Sequence, residues 1–226
     1  MSALSRRRLY LMRHGQVRYF GGVHPDDVVL TERGREQAQA AAGALADAGF
    51  DRVITSGLVR TTETARIVAP ALEPESRPSL REIEGNDLRG LDENVVQELM
   101  RDAFRGVLPR EHRFLGGETI GELVDRVGAE LDALLADETW NVCLLVLHGG
   151  VNRAILSRAI TGEAVFLGGF EQSPACINVL DVASDGSFVV RAVNQTPYDP
   201  AHVHAPRVTT MEQLWTDYLD ARSQKP

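Results

Sequence analysis

Two cysteines, Cys143 and Cys176, are all that the 226 residues contain. So few thiols exclude a disulfide scaffold. Both sit in apolar runs (141–147 and 175–180), where buried, reduced thiols are expected. Long apolar segments are missing as well: none approaches the ~20 residues of a membrane span, so no membrane partner is expected. Positive charge is outnumbered, with 24 Lys and Arg against 32 Asp and Glu and a formal net charge of -8. Nucleic-acid backbones need a broad basic footprint, so a nucleic-acid partner is disfavoured. A small anion can still be held where a few arginines converge. Arg6-Arg7-Arg8 starts like a basic leader, but the apolar run behind it is cut at Arg13. No secretory signal is expected, and a soluble, cytoplasmic protein is the natural reading.

The remaining composition, 43% hydrophobic and 25% charged, suits one globular domain with a full core. That domain is taken as residues 1–226, with an insert at about 86–117 and a C-terminal arm and helix over about 196–226. Residues 8–12 form an apolar strand that stops abruptly at Arg13-His14-Gly15. Residues 17–30 read as irregular, with Gly21-Gly22 and Pro25-Asp26-Asp27 as turn chemistry. Thr31 is placed to cap a helix whose Ala38, Ala41, Leu45 and Ala48 share one side, with Gly49 as its stop. A short strand at 52–55 leads through Ser56-Gly57 into a helix at 58–69. Further helices are expected at 92–105, 118–135, 151–160 and 209–222. Val142 to Leu147 is the most apolar strand and so a central one, covered on both faces. Strands at 175–182 and 187–193 are joined at Asp185-Gly186, a hairpin signal. The order β-α-β-α, insert, α-β-α, hairpin predicts a three-layer αβα sandwich of the α/β class. Its central sheet is mostly parallel, and the small, partly helical insert lies over the C-terminal rim. Ligands of such sheets gather at the carboxyl ends of the strands. Arg13-His14, Ser56 to Arg60 and His148 all follow predicted strands and can share that rim.

Three motifs, in order, carry a resemblance: Leu11-Met12-Arg13-His14-Gly15-Gln16, Ser56-Gly57-Leu58-Val59-Arg60 with Thr64-Ala65, and His148-Gly149-Gly150-Val151-Asn152-Arg153. Leu30-Thr31-x-x-Gly34 and Gly116-Gly117-Glu118 add secondary matches. Over roughly residues 8 to 195 the chain resembles the histidine phosphatase, or phosphoglycerate-mutase-like, superfamily. The resemblance implies that His14 is the nucleophile and becomes a phosphohistidine, attacking as the neutral imidazole that neighbouring arginines favour. It implies that Arg13 and Arg60 clamp the phosphoryl oxygens, that His148 adds a further donor, and that Glu82 protonates the leaving oxygen and then activates water. Gln16 and Gly149 are added as substrate-binding positions. No cofactor and no metal are implied. His202 and His204 lie in a proline-rich arm without cysteine or carboxylate at ligand spacing, so a metal site is not expected there.

On the residues alone, Ser56 also reads as a turn cap, Thr64 as a helix-packing residue and Arg153 as a helix-surface charge. Two departures from the family pattern stand out. Val17 and Phe20 replace the polar residues usual after Arg-His-Gly, which removes a phosphate-contacting amide. Asn86-Asp87-Leu88-Arg89-Gly90 replaces the pattern common after the acid, and the sequence characteristic of the mutase branch is absent. The expected function is therefore a metal-independent phosphomonoesterase, a histidine acid-type phosphatase, acting on a small phosphate ester. A phosphoglycerate-type mutase and a non-catalytic phosphate-ligand binder are the alternatives. Arg105, Arg110, His112 and Arg113 offer either a second anion subsite or a solvated helix end. Met211, Leu214, Trp215, Tyr218 and Leu219 need cover, from their own core or from a second copy in a homodimer.

Overall fold

The computed structural model describes residues 6–20, 24–88 and 90–223; the expected Gly21-Gly22 turn and Arg89 lie outside these residues. Strand β1 (Arg7–Arg13) carries strict alternation. Leu9 and Leu11 enter one core cluster, whereas Met12 enters the other with Tyr10 packed against it. Period-two alternation on a strand buried on both faces makes such a split unavoidable. The same division runs through β2 (Arg52–Thr55) and β5 (Val142–Leu147). Ile54, Cys143, Leu145 and Leu147 face one way, and Val53, Leu144 and Val146 the other. Helices α1 (Glu32–Ala44) and α2 (Val59–Val68) cover the second face with Ala41, Ala65 and Val68. Helices α4 (Ile120–Ala136) and α5 (Gly149–Thr161) cover the first with Leu123, Val127, Leu131, Val151 and Ile155.

The sheet has the order β3-β2-β5-β1-β7-β8, where β3 is Glu75–Ser76, β7 is Ile177–Val182 and β8 is Phe188–Gln195. The first four strands run parallel, β7 pairs antiparallel with β1, and β8 pairs antiparallel with β7. This is the expected αβα sandwich with a mostly parallel sheet. Helix α3 (Glu93–Asp102) lies in the insert and packs on the last helix, α6 (Thr210–Ser223). A two-residue strand β4 (Val107–Leu108) pairs with β6 (Phe166–Leu167), a contact too short to leave a periodic signal. Met211 and Tyr218 of α6 are buried in the main core, with Leu214, Trp215 and Leu219 against it. The chain's own core therefore covers them.

Several helix ends differ from expectation for local reasons. Thr119, not Glu118, caps α4. Its hydroxyl accepts from Glu122 N while Glu122 reaches back to Thr119 N, a capping box that leaves Glu118 outside the helix. Helix α5 begins two residues earlier than expected because a carboxylate from elsewhere serves its first turn. Helix α1 ends at Ala44, and Gly49 sits in the turn beyond with φ +67°. At the other end of α1, Thr31 accepts from Gly34 N as expected. A Cβ on Gly34 would lie 2.2 Å from Gln16 O, and one on Gly15 would lie 2.4 Å from Gly34 O. The turn after β1 thus rests backbone to backbone on α1, which only glycine at both positions permits.

Candidate active site

Three adjacent parallel strands, β2, β5 and β1, end on one rim. Arg13 pairs with Leu147 and Thr55 with Val146, so Ser56, His148 and His14 emerge side by side. His14 N donates to Leu147 O at 3.0 Å, which locks the two turns together. The His14 and His148 rings lie 5.3 Å apart, edge to face, and both are fully enclosed.

His14 Nδ1 is 2.8 Å from Gly15 O. A carbonyl only accepts, so Nδ1 carries the proton and Nε2 keeps its lone pair. Burial first, then the charges of Arg13 and Arg60, hold the ring well below the usual imidazole range. It is a neutral base with one unprotonated nitrogen. His148 is depressed in the same way, by burial, then by His14, Arg60 and Arg13. Its Nε2 lies 2.8 Å from Ser56 Oγ, and its Nδ1 has no partner among the described residues. Ser56 is thus more than a turn cap, because it orients His148. Thr64 likewise does more than pack: its hydroxyl accepts from Gly15 N at 3.1 Å and fixes the turn that carries His14.

Arg13 and Arg60 are both buried, at 7% and 4% exposure. Arg13 Nη1 donates to Gln172 O at 2.6 Å and to Thr210 Oγ1 at 3.2 Å; Arg60 Nη1 donates to Pro25 O at 2.8 Å. In each the Nε is buried without a partner among the described residues. Buried charged donors left unpaired are costly unless something anionic arrives. Two helix N-termini, those of α2 and α5, add their positive ends, and neither has a side-chain cap from its own N-cap residue.

Glu82 reaches the same place from the segment before the insert. Its carboxylate accepts from Gly150 N through both oxygens, at 3.0 and 3.2 Å. A Cβ on Gly149 would sit 3.8 Å from both Arg13 Nε and Glu82 Oε2, so these groups converge there. Arg126 holds the segment: its guanidinium donates to Ser79 O, Arg81 O and Glu82 O and is paired bidentately with Glu118. That pairing gives Gly116-Gly117-Glu118 a physical purpose. Beside Glu82 opens a cavity of about 970 Å³, lined among others by Arg81, Asn86 and Arg113.

Not every expected residue faces this centre. Gln16 is exposed, and its side-chain oxygen accepts from Thr31 Oγ1 at 2.9 Å, at the mouth of α1. The four basic residues of the insert do not converge. Arg110 pairs with Asp125 at 2.6 Å, Arg105 lies 4.0 Å from Asp102, and only Arg113 lines the cavity. Arg153 is no surface charge. It is buried against the Phe104 ring at 4.6 Å, donates to Gly168 O, and burial pushes it down to about 10. Two residues carried no sequence signal. Thr210 touches Arg13 from α6, at the far end of the chain. Tyr19 places its hydroxyl 3.3 Å from His14 Nε2.

A neutral imidazole with an unprotonated nitrogen, two buried arginines with spare donors and a carboxylate at a helix N-terminus define a site for an anionic group. The chain belongs to the histidine phosphatase superfamily, branch 1, whose profile matches residues 9–196. It is 28% identical over 207 residues to the 2-carboxy-D-arabinitol-1-phosphatase of Triticum aestivum, covering 86% of this chain and 42% of that protein. The chain thus spans under half the length of the plant relatives it matches. It is 32% identical over 163 residues to "Probable phosphoglycerate mutase GpmB" of Proteus mirabilis, covering 68% of this chain and 74% of that one. Among solved structures it resembles a mycobacterial glucosyl-3-phosphoglycerate phosphatase bound to inorganic phosphate. The TM-score is 0.68 at 26% identity, over 84% of this chain and 98% of that one. The alpha-ribazole phosphatase of Shigella flexneri gives 0.66 at 25% identity, over 83% and 96%.

Proposed function

We propose that the protein is a phosphomonoesterase that hydrolyses a small phosphorylated metabolite through phospho-His14. The observation that carries this reading is the state of His14: Nδ1 is committed to Gly15 O, and burial and two arginines keep Nε2 unprotonated. The Nε2 lone pair attacks phosphorus while the bond to the leaving oxygen breaks. Arg13, Arg60 and the first turns of α2 and α5 stabilise the charge on the transferring oxygens, so the residues themselves supply what a metal supplies elsewhere. His148 lines the same site, held through Nε2 by Ser56. Glu82 gives its proton to the leaving oxygen. It then takes one from the water that attacks phosphorus, and the breaking phosphorus–nitrogen bond returns its electron pair to His14. Because His14 stays neutral well below its ordinary range, mildly acidic conditions leave the nucleophile intact, which supports an acid-type enzyme.

Hydrolysis of p-nitrophenyl phosphate at mildly acidic pH, resistant to EDTA and abolished in His14→Ala, is the expected result. Full activity in that variant would sink the mechanism. The names of the relatives favour small phosphorylated metabolites as substrates, and three of them name a compound with a carboxylate. The kinship to a protein named as a mutase keeps a second reading open, in which a hydroxyl captures the phosphohistidine instead of water. Incubation with 2- or 3-phosphoglycerate separates the two: free phosphate marks hydrolysis, the isomer marks mutase chemistry.

A further inference from the structure

We infer that Tyr19 is a catalytic residue of this site, its hydroxyl donating a hydrogen bond to an oxygen of the transferring phosphoryl group. The inference rests on the phosphatase reading above. Tyr19 Oη lies 3.3 Å from His14 Nε2, the attacking atom. Nε2 bears a lone pair, so the hydroxyl donates to it in the resting site. A phosphorus poised for attack must stand about 3–3.5 Å from Nε2 and take over that direction. The hydroxyl then loses its acceptor, and the nearest replacements are the phosphoryl oxygens. These are anionic, and hydrogen bonds to anionic acceptors are roughly twice as strong as neutral ones, so the exchange is downhill. No proton changes owner in it.

The side chain is tethered for that task. Its ring stands 5.7 Å from the Arg60 guanidinium, the same group that is to clamp the phosphate. The next residue, Phe20, stacks edge to face on Tyr218 of α6 at 5.7 Å, with Tyr218 buried. Phe20 is thereby anchored in the core and brings no polar atom to the site. Tyr19 itself is only half-buried, so the ring can shift by the small distance that phosphate entry demands. The hydroxyl supplies a donor from the turn after β1, where the backbone is otherwise engaged in holding Gly15 and Gln16 in place.

Tyr19→Phe removes one oxygen and keeps the ring over Arg60. With p-nitrophenyl phosphate, kcat/KM should fall about 10- to 100-fold, near the range for loss of a single transition-state donor. Inhibition by orthovanadate should weaken by at least as large a factor as inhibition by inorganic phosphate, since vanadate takes the five-coordinate form. The melting temperature should be unchanged, and Tyr19→Ala should be no more active than Tyr19→Phe. Unchanged or raised kcat/KM in Tyr19→Phe would overturn the inference, a rise marking the tyrosine as a plug over the nucleophile. Failure of the wild-type protein to hydrolyse any phosphate ester would instead overturn the phosphatase reading, and this inference with it.

Discussion

His14 owes its state to three neighbours and to burial, and each leaves a separate signature. Burial is the largest cause of its depressed basicity, with Arg13 and Arg60 next. Removing a like charge makes the protonated ring less costly, so the pKa of His14 should rise in Arg60→Gln. It should still stop short of ~6.5, because burial persists. Ring resonances followed by NMR titration test this: the His14 midpoint should lie well below ~6.5 in the wild type and move up in the variant. A wild-type His14 midpoint near 6.5 would refute the account of the nucleophile. Arg13, His14, Arg60 and His148 were legible as a set because each sits in a short motif after a strand. Tyr19 was not, since a tyrosine five residues beyond His14 in an irregular segment has no pattern to betray it. Arg153 was misread for a related reason: helical spacing says nothing about the Phe104 ring and Glu171 that bury it.

The first turn of α5 is where a helix end and the proposed general acid share one carboxylate. Glu82 satisfies Gly150 N, and no side chain of the helix's own N-cap residue does so. A Cβ on Gly150 would lie 2.6 Å from Glu82 Oε1 and 3.1 Å from Ile83 Cγ2. The carboxylate is the free end of a flexible side chain, so it can swing aside cheaply, but then it leaves the site. Gly150→Ala should therefore lower kcat about 10- to 100-fold while shifting stability by less than about 1 kcal/mol, because alanine is the better helix former. Equal losses in activity and stability would mean that the glycine serves the helix and not the acid. Helix α4 supports the backbone of the same residue from the other side, through Arg126, which Glu118 pairs. The motif containing Glu118 was visible in the sequence. Its use was not, because the three carbonyls it helps to hold belong to a segment more than thirty residues earlier.

Enclosing two neutral histidines makes the whole molecule sensitive to acid. In the unfolded chain each titrates near ~6.5; in the folded protein both lie well below that. Between the two values the unfolded chain binds more protons, so stability is complete above ~6.5 and falls as pH drops. The two together should cost roughly 2 kcal/mol between pH 7 and 5.5, measurable by urea denaturation. Inorganic phosphate should raise stability at either pH by occupying the site. A flat pH profile over this window would contradict the burial of both rings in the neutral form.

Alternation in β1 and β5, the capping residue Thr31 and the three motifs determined the layers, the parallel strands and the rim that carries the site, because these are local properties of the chain. Only the tertiary structure decided which groups meet. Glu82 on the first turn of α5, Thr210 on Arg13, Ser56 on His148 and Tyr19 on His14 are contacts that packing creates. So too is the depressed basicity of both histidines, since desolvation exists only once the sheet, its helices and α6 have closed around them.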